Sequence, residues 1–320
     1  MKKILALSLA AAMALGLAAC GGGTTTAESS TPPAGETTPA TGAPSAEVTN
    51  AEKPLVWFNR QPSNSTTGEL DMDALSFNDN TYYVGFDANQ GAELQGQMVL
   101  EYIQNNIDGL DRNGDGVIGY VLAIGDIGHN DSIARTRGVR SALGTGVDVD
   151  GAIDSNPVGT NTDGSSTIVK DGSIDVGGTT YTVRELASQE MKNSAGATWD
   201  AATAGNAITT WSASFGDQID VVVSNNDGMG MAMFTGWSQA NGVPTFGYDA
   251  NSDAVAAIAN GYGGTISQHA DVQAYLTLRV IRNALDGVDI DTGMVPPTRR
   301  ATCSARTCST MTRPAAPTMP

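Results

Sequence analysis

The chain has 320 residues, a formal net charge of -17 and 3 cysteines. This excess of acidic side chains argues against nucleic-acid binding, because a polyphosphate would be repelled. Cys20 lies in the leader region, and Cys303 and Cys308 lie near the C-terminus. The part between them therefore has neither a disulfide framework nor a thiol nucleophile. Its length is sufficient for one large domain or two small ones.

Residues 1–19 have the organisation of a signal peptide. Two lysines precede an apolar run, residues 4–17, that is too short to span a membrane. The Leu-Ala-Ala-Cys sequence that ends at Cys20 resembles a bacterial lipobox, which implies cleavage before Cys20 and lipid attachment to its thiol. The alternative is an ordinary signal peptide with an incidental cysteine. Residues 20–48 contain few bulky apolar side chains, and we interpret them as a flexible, lipidated tether.

Short apolar runs bounded by turn residues predict buried strands, and most of them are followed by a helical pattern. The predicted strands are residues 54–59, 82–87, 117–125, 219–225, 243–249 and 264–267, and the predicted helices are residues 92–107, 132–143, 229–240, 252–260 and 271–285. This alternation predicts right-handed crossovers and an α/β fold with a parallel sheet covered on both faces. Residues 150–196 interrupt it, and we predict a surface hairpin insertion there.

Residues 111–116, Asp-Arg-Asn-Gly-Asp-Gly, space oxygen atoms like the opening of a calcium-binding loop. Asp111, Asn113 and Asp115 supply side-chain oxygens, and the glycine that follows permits the sharp turn. A complete loop has a bidentate Glu at its twelfth position, but here Leu122 occupies it, inside a predicted strand. A closing carboxylate must therefore come from a distant part of the chain. The alternative is a solvated turn without a metal.

Polar residues gather where the predicted strands end, which is where ligands bind in open α/β sheets. These residues are Phe58-Asn59-Arg60, His129 and Asp131, Asn225-Asn226-Asp227, Asp249-Ala250-Asn251, and Gln268. Helix N-caps also favour Asn, Asp and Ser, so capping explains any single cluster about as well as ligand binding does. The recurrence of such clusters at one edge of the sheet favours a polar binding pocket.

The chain resembles the periplasmic galactose/glucose-binding proteins of ABC sugar importers, a branch of the type I periplasmic binding protein fold. The matching segments are residues 57–62, 82–85, the loop at 111–116, 128–136, 222–227 and 246–249. They cover about residues 51–287, and the calcium loop combined with the His-x-Asp-x-x-x-Arg pattern is specific to this branch. The resemblance implies two doubly wound parallel-sheet lobes joined by a hinge.

The resemblance also implies boundaries within the chain. It implies a first lobe over residues 49–110 and 270–294, a second lobe over residues 111–269, and hinge crossings near residues 108–110 and 268–271. The family begins with several strand–helix units that have no counterpart here between the tether and the first predicted strand, so we expect an internally truncated, incomplete first lobe. Residues 295–320 change abruptly to Arg, Thr, Pro and Cys, as in a shifted reading frame, and we expect an aberrant, disordered tail.

Site residues are implied by position-by-position comparison with the family. The implied sugar contacts are Asn59, His129, Asp131, Arg135, Trp199, Asn226, Asp249 and Gln268. Sugar hydroxyls both donate and accept hydrogen bonds, and an indole such as Trp199 covers the apolar face of a pyranose. Core packing of Trp199 and helix capping by His129 are the alternatives, and at Gln268 the family often has the shorter Asn. The implied calcium ligands are Asp111, Asn113, Asp115, the backbone carbonyl of Val117, and Asp220, where the family pattern has Glu.

The function implied by the resemblance is that of an extracytoplasmic, membrane-anchored lipoprotein. It would capture galactose or glucose between its lobes and deliver the sugar to the permease of an ABC importer, touching the membrane only through its lipid. One alternative is a sensor that presents the sugar to a chemoreceptor or kinase. Another is a glycoside hydrolase with Asp131 and Asp249 as its acid/base pair. A pocket rich in Asn, Arg and His, without a carboxyl group of raised pKa, argues against an enzyme.

Overall fold

The computed structural model describes residues 53–63, 70–149, 151–160, 166–167, 169–294, 302–304 and 307–309. The predicted signal peptide, the tether with Cys20 and most of the predicted tail lie outside these ranges. Within these ranges, none of the helices combines the length and apolar character that crossing a membrane requires.

Short strands and helices alternate along most of the described chain. The strands are β1 (Leu55–Asn59), β2 (Thr81–Gly85), β3 (Val117–Ile124), β4 (Asp148–Val149), β5 (Ala152–Ile153), β6 (Gly159–Thr160), β7 (Ser166–Thr167), β8 (Gly172–Val176), β9 (Thr179–Glu190), β10 (Val221–Ser224), β11 (Thr245–Phe246), β12 (Tyr262–Gly264), β13 (Thr302–Ser304) and β14 (Thr307–Ser309). The helices are α1 (Met72–Leu75), α2 (Ala88–Asn105), α3 (Asn130–Leu143), α4 (Ala201–Phe215), α5 (Asp227–Met233), α6 (Ser252–Ala257) and α7 (Ala270–Asp286).

Two main sheets organise these elements. The larger sheet has the strand order β12-β11-β10-β3-β9-β8, and only β8 runs antiparallel to its neighbour. The smaller sheet has the order β1-β2-β14-β13, in which β1, β2 and β14 are parallel. The predicted α/β fold with a parallel-sheet core is confirmed. In the predicted tail, β13 and β14 form strands, which differs from the disorder expected there.

The core lies on both faces of the larger sheet, because β3 is covered on both sides. Every residue of β3 after Val117 is buried. Alternate side chains of a strand point to opposite faces, so Tyr120 and Leu122 join a cluster with α2 and α3. Val121 and Ala123 join a second cluster, with α4. A continuous apolar run is typical of a parallel strand buried in this way.

Strand β9 shows that the segment predicted as a surface insertion belongs to the larger sheet. It pairs in parallel with β3 along the whole of β3, and β8 pairs with it on the outer side. The hairpin predicted within residues 150–196 is present, but its strands are part of the larger sheet and not an insertion outside it. One buried polar residue hid the strand pattern: Glu185 is enclosed with Arg140, whose Nη2 lies 2.7 Å from Glu185 Oε1. Such a pair is tolerated in a core only because each charge has its partner.

The first passage of the chain from the smaller to the larger sheet lies earlier than predicted. Helix α2 falls in the residues assigned to the first lobe (49–110), yet Val99 and Ile103 pack in the core of the larger sheet. The passage is therefore at residues 86–87, between β2 and α2, and not at residues 108–110. The chain returns between β12 and α7, since Leu276 and Val280 of α7 pack against Val84 of β2.

Helices α2 and α3 cross in direct backbone contact. A Cβ atom added at Gly138 would lie 2.4 Å from the carbonyl oxygen of Ala92, and one at Gly96 would lie 2.3 Å from the carbonyl oxygen of Gly138. Glycine at both positions is therefore required for the close approach. The contact fixes α3 against α2 and the larger sheet.

We expect Gly138→Ala to lower the free energy of unfolding by about 1–3 kcal/mol, because the helices must separate to admit the methyl group. Urea denaturation measures this quantity. The matched control is Gly205→Ala in α4, where nothing lies within 4 Å of the added Cβ. That control should be stabilised by about 0.5–1 kcal/mol. Equal effects of the two substitutions would contradict the close crossing.

Candidate functional site

A polar cavity of about 350 Å³ lies where strands of both sheets end. The residues that line it are Asn59, His129, Asp131, Arg135, Trp199, Asn226, Asp249, Asn251, Gln268 and Ala270. All eight side chains that the sequence predicted as sugar contacts are in this set. The structure therefore brings them together, and their role as ligand contacts remains a prediction.

Arg135 is the central cation of the cavity. Its Nη1 donates to the backbone oxygen of Asn225 at 2.7 Å, and its Nη2 lies 3.5 Å from Asp131 Oδ2. Asp249 is a second, longer ion-pair partner at 3.9 Å. The guanidinium carbon lies 3.7 Å from the ring centre of Tyr248, a cation–π contact. Arg135 is buried, and these contacts fix its position.

Hydrogen bonds cross the cavity between elements of the two sheets. Asn59, the last residue of β1, donates from Nδ2 to Gln268 Oε1 at 3.4 Å, and Gln268 Nε2 donates to Asp249 Oδ1. The next residue, Arg60, donates from Nε to Asn130 Oδ1 on α3 at 3.2 Å. Polar groups of the smaller sheet thus contact polar groups of the larger sheet directly.

His129 combines two roles that the sequence left as alternatives. It is the N-cap of α3, where its Nδ1 accepts the backbone N–H of Asp131 at 3.2 Å, and it also lines the cavity. Burial lowers the pKa of His129, which favours the neutral imidazole at neutral pH. Because Nδ1 accepts, Nε2 is the nitrogen that carries the proton and can donate.

Trp199 is held at the cavity by a close contact with the end of β3. A Cβ atom at Gly125 would lie 2.3 Å from Cε3 of the Trp199 ring, so only glycine permits this placement of the indole. The backbone N–H of Trp199 donates to the carbonyl oxygen of Gly125 at 3.1 Å. The ring also meets His129 edge to face, with 5.3 Å between ring centres. Trp199 is half-buried, so it packs on the core while lining the cavity.

The pKa of Asp249 differs from the value expected from the sequence. Burial raises the pKa of its carboxyl group, although Arg135 opposes the shift. The expectation that the pocket lacks a carboxyl group of raised pKa is therefore wrong.

The backbone is unusual around this cavity. Among the described residues, positive φ at a non-glycine position occurs at Asn59, Trp199, Asp249, Ala250 and His269. Asn59, Trp199 and Asp249 line the cavity, and the other two are adjacent to lining residues. Such conformations cost of order 1–3 kcal/mol each and persist only where surrounding contacts impose them.

Two polar residues of the site are not among the predicted sugar contacts, although both lie in the polar clusters at the strand ends. Asn251 lines the cavity. Asn225 lies behind it, where its Oδ1 accepts the backbone N–H of Gly125 at 3.1 Å and the hydroxyl of Ser132 at 2.7 Å. Their position beside the predicted contacts Asn226 and Asp249 could have identified them from the sequence. Gly125 could not be identified in this way, because its importance depends on contact with Trp199, which is distant in the sequence.

Side-chain to backbone hydrogen bonds close the loop that the sequence predicts as a calcium site. Asp111 Oδ1 accepts the backbone N–H of Gly114 at 2.8 Å, and Asp111 Oδ2 accepts that of Gly116 at 2.8 Å. Asp115 Oδ1 accepts the N–H of Val117 at 2.8 Å. These bonds curl the loop so that carboxylate and amide oxygens are gathered in one short stretch.

Asp220, the predicted closing carboxylate, lies beside this loop. Its Oδ1 accepts the N–H of Arg112 at 2.9 Å, and its Oδ2 accepts the N–H of Gly119 at 2.8 Å. Burial raises the pKa of Asp220 to about 6, with a smaller contribution from the nearby charge of Asp111 and an opposing one from the hydrogen bonds of Arg112 and Gly119. Within the described ranges, no three His, Cys, Asp or Glu side chains are grouped so that they alone could hold a metal ion.

Comparison with known proteins gives consistent matches. A family described as the periplasmic binding protein domain matches residues 49–289. The D-galactose/methyl-galactoside binding periplasmic protein MglB of Haemophilus influenzae is 28% identical over 73% of this chain, and the match spans 57% of that relative. A xylitol-binding protein of Mycolicibacterium smegmatis is 27% identical over 92% of this chain and 83% of its own length. The chain thus spans little more than half of the first of these relatives.

A solved structure shows a similar fold. It is an ABC transporter periplasmic solute binding protein from Actinobacillus succinogenes 130z with bound D-allose. The TM-score is 0.50 at 16% sequence identity, over 76% of this chain and 66% of that one. At this identity the likeness concerns the fold alone.

We expect Gly125→Ala to displace the Trp199 ring and expose it to solvent, because the new methyl group would overlap the indole. The fluorescence emission should shift to longer wavelength, and iodide quenching should increase. Trp199→Phe identifies the contribution of this tryptophan among the 4 in the chain. The control is Gly128→Ala in the same loop, where the nearest atom would lie 3.4 Å from the Cβ. An unchanged spectrum in Gly125→Ala would refute the packing constraint.

Proposed function

The chain belongs to the periplasmic binding protein domain family, and from this premise we propose that it captures a sugar and delivers it to the permease of an ABC importer. The observation that carries the proposal is the convergence of eight polar and aromatic side chains on one cavity where strands of both sheets end. The type I periplasmic binding fold places such a cavity between two sheet-based halves. The location proposed is extracytoplasmic, with a lipid on Cys20 as the membrane anchor.

The chemistry of the cavity suits an uncharged polyhydroxy ligand. The guanidinium of Arg135 faces two carboxylates, Asp131 and Asp249, so a ligand of strong charge of either sign would meet a charge of its own sign. Sugar hydroxyls instead donate to carboxylates and accept from guanidinium and amide groups. The half-buried Trp199 supplies an apolar surface for a sugar ring.

Galactose or glucose is the ligand that we propose, and calcium is the proposed cofactor. The name of the Haemophilus influenzae relative supports galactose, while the xylitol-binding relative extends the candidates to polyols. A site that pairs each hydroxyl of one epimer would leave a buried polar group unpaired with another epimer, which is a basis for selectivity.

The proposed mechanism is ligand-driven closure of the two halves. Asn59 belongs to the smaller sheet, whereas Arg135 and Asp249 belong to elements of the larger sheet. A sugar that contacts both sides favours the closed arrangement, and the equilibrium shifts by the difference in its affinity for the two arrangements. No covalent bond is broken in this cycle.

For D-galactose and D-glucose we expect saturable binding of one sugar per chain in isothermal titration calorimetry. Arg135→Gln should weaken binding by about a hundred-fold, because it removes a charged donor from a desolvated site. The control is Arg184→Gln, since Arg184 pairs with Asp171 at the surface, does not line the cavity and lies opposite Gly119, near the start of β3. A protein that is folded by circular dichroism but gives no heat with either hexose would overturn the proposed function.

The residues of the loop fit a hard divalent cation in chemistry, since their donors are carboxylate, amide and carbonyl oxygens. Asp111, Asn113, Asp115 and the carbonyl of Val117 would hold calcium, and Asp220 would close the site. A cation there would offset the buried charge of Asp220. Two departures suggest weak binding: Asp220 is one methylene shorter than Glu, and Gly119 has no side-chain oxygen.

Millimolar calcium should raise the melting temperature relative to EDTA, because a ligand that binds only the folded state stabilises it. In Asp220→Asn the melting temperature should be the same in calcium and in EDTA. In the wild type, magnesium should raise the melting temperature less than calcium does. Coincident melting curves in calcium and in EDTA would contradict the metal assignment. The sugar assignment would remain, because the cavity and the loop share no residue.

A further inference from the structure

Asp227 is a fully buried carboxylate that the sugar cavity does not use directly. It is 0% exposed and does not line the cavity. It follows the lining residue Asn226 and begins helix α5. In the described part of the chain it takes part in no ion pair. A buried carboxylate without a cation is costly, so its hydrogen bonds must satisfy it.

Three donors surround this carboxylate. The backbone N–H of Asn251 donates to Oδ2 at 2.8 Å, and the Thr265 hydroxyl donates to the same oxygen at 2.9 Å. The Tyr262 hydroxyl donates to Oδ1 at 3.1 Å. The backbone of the same residue also takes part, since the N–H of Asp227 donates to the carbonyl oxygen of Tyr248 at 2.8 Å.

These bonds converge on residues 248–251, which follow β11 and carry Asp249 and Asn251 into the cavity. Asp249 and Ala250 have φ of 108° and 54°, so this segment needs external support. Thr265 extends the support, because its Oγ1 accepts the N–H of Ala250 at 3.0 Å while donating to Asp227. Asp227 therefore acts on three positions that flank Asp249: it is bonded directly to Tyr248 and Asn251, and it reaches Ala250 by way of Thr265.

The carboxylate packs closely against the backbone of Gly247. A Cβ atom at Gly247 would lie 2.1 Å from Asp227 Oδ1 and 2.2 Å from the Tyr262 hydroxyl. The Tyr262 ring is itself held edge to face against Phe234, with 5.4 Å between ring centres. The pKa of Asp227 is raised to about 7 by burial and, to a smaller extent, by the charge of Asp249, with the opposing effect of the bonds from Asn251, Thr265 and Tyr262 already included.

We propose that Asp227 is a positioning residue for the ligand site: its hydrogen bonds set the conformation of residues 249–251 and so place Asp249 and Asn251 in the cavity. The effect on sugar affinity rests on the proposed function. The effect on the backbone of residues 249–251 does not.

The first test is amide hydrogen exchange at Ala250 and Asn251, measured by NMR on the full protein without sugar. Asp227→Asn keeps the shape but replaces one acceptor oxygen with a donor, so exchange at both amides should become about ten-fold faster. Thr265→Val should accelerate Ala250, whereas Thr265→Ser, which keeps the hydroxyl, should restore the protection. Wild-type exchange rates in both Asp227→Asn and Thr265→Val would overturn the proposal.

The control for a general loss of stability is Tyr120→Phe. Tyr120 donates to another buried carboxylate, Glu185, at 2.7 Å, and it does not line the cavity. This variant should be destabilised without selective acceleration at Ala250 and Asn251. If Asp227→Asn accelerates exchange throughout the protein in the same pattern as Tyr120→Phe, the carboxylate acts on global stability alone and the positioning role is wrong.

The second test is titration with D-galactose. Asp227→Asn should weaken binding by about ten-fold and Tyr120→Phe should leave the dissociation constant unchanged. If the wild type and Asp227→Asn bind D-galactose with equal affinity, the link between Asp227 and the site is refuted. If the wild type itself does not bind, the proposed function fails, while the exchange measurement still decides whether Asp227 positions residues 249–251.

Discussion

The structure depends on satisfying backbone groups where buried parallel strands end. Strands β3, β10 and β11 stop inside the protein, and an unpaired polar group there would cost more than a hydrogen bond returns. Side chains provide the missing partners. Asn225 accepts the N–H of Gly125 after β3, and Gln95 donates to the carbonyl oxygens of Ser224 and Gly247 at 2.8 and 3.1 Å. The edge of the sheet is therefore already a polar network before any ligand is considered.

The candidate site is built onto this network. Arg135 donates to the backbone oxygen of Asn225, so the central cation is fixed by the same residue that completes the end of β3. Asp249 is placed by the segment that Asp227 supports, and Gln268 joins it to Asn59. Fixed dipoles and charges of this kind do not need to be reorganised when a ligand arrives, which favours affinity and selectivity. Structural support and the proposed ligand recognition thus share the same hydrogen bonds.

The sequence predicted most of this architecture because β3 is a continuous apolar run and polar clusters follow the strands. It missed elements whose signals depend on distant partners. Helix α4 contacts the core through Ala204, Ala207, Ile208 and Trp211, and alanine gives little sign in the sequence that a position is buried. In β9, Glu185 is buried only because Arg140 neutralises it. The crossing at residues 86–87 follows from the packing of α2, which spacing along the chain does not reveal. The supporting residues Gly125 and Asp227 are defined by three-dimensional contacts alone.

The positive φ angles around the cavity have a consequence for the evolution of the protein. Asn59 has a φ of 63°, a conformation that glycine adopts without steric cost, so glycine there would relieve backbone strain while deleting a lining side chain. At Trp199 and Asp249 the same replacement would also remove the packing of the indole on the core and the hydrogen bond from Gln268. Of these three positions, residue 59 is therefore the one at which selection for thermal stability alone would favour glycine, whereas the proposed ligand capture requires a side chain there.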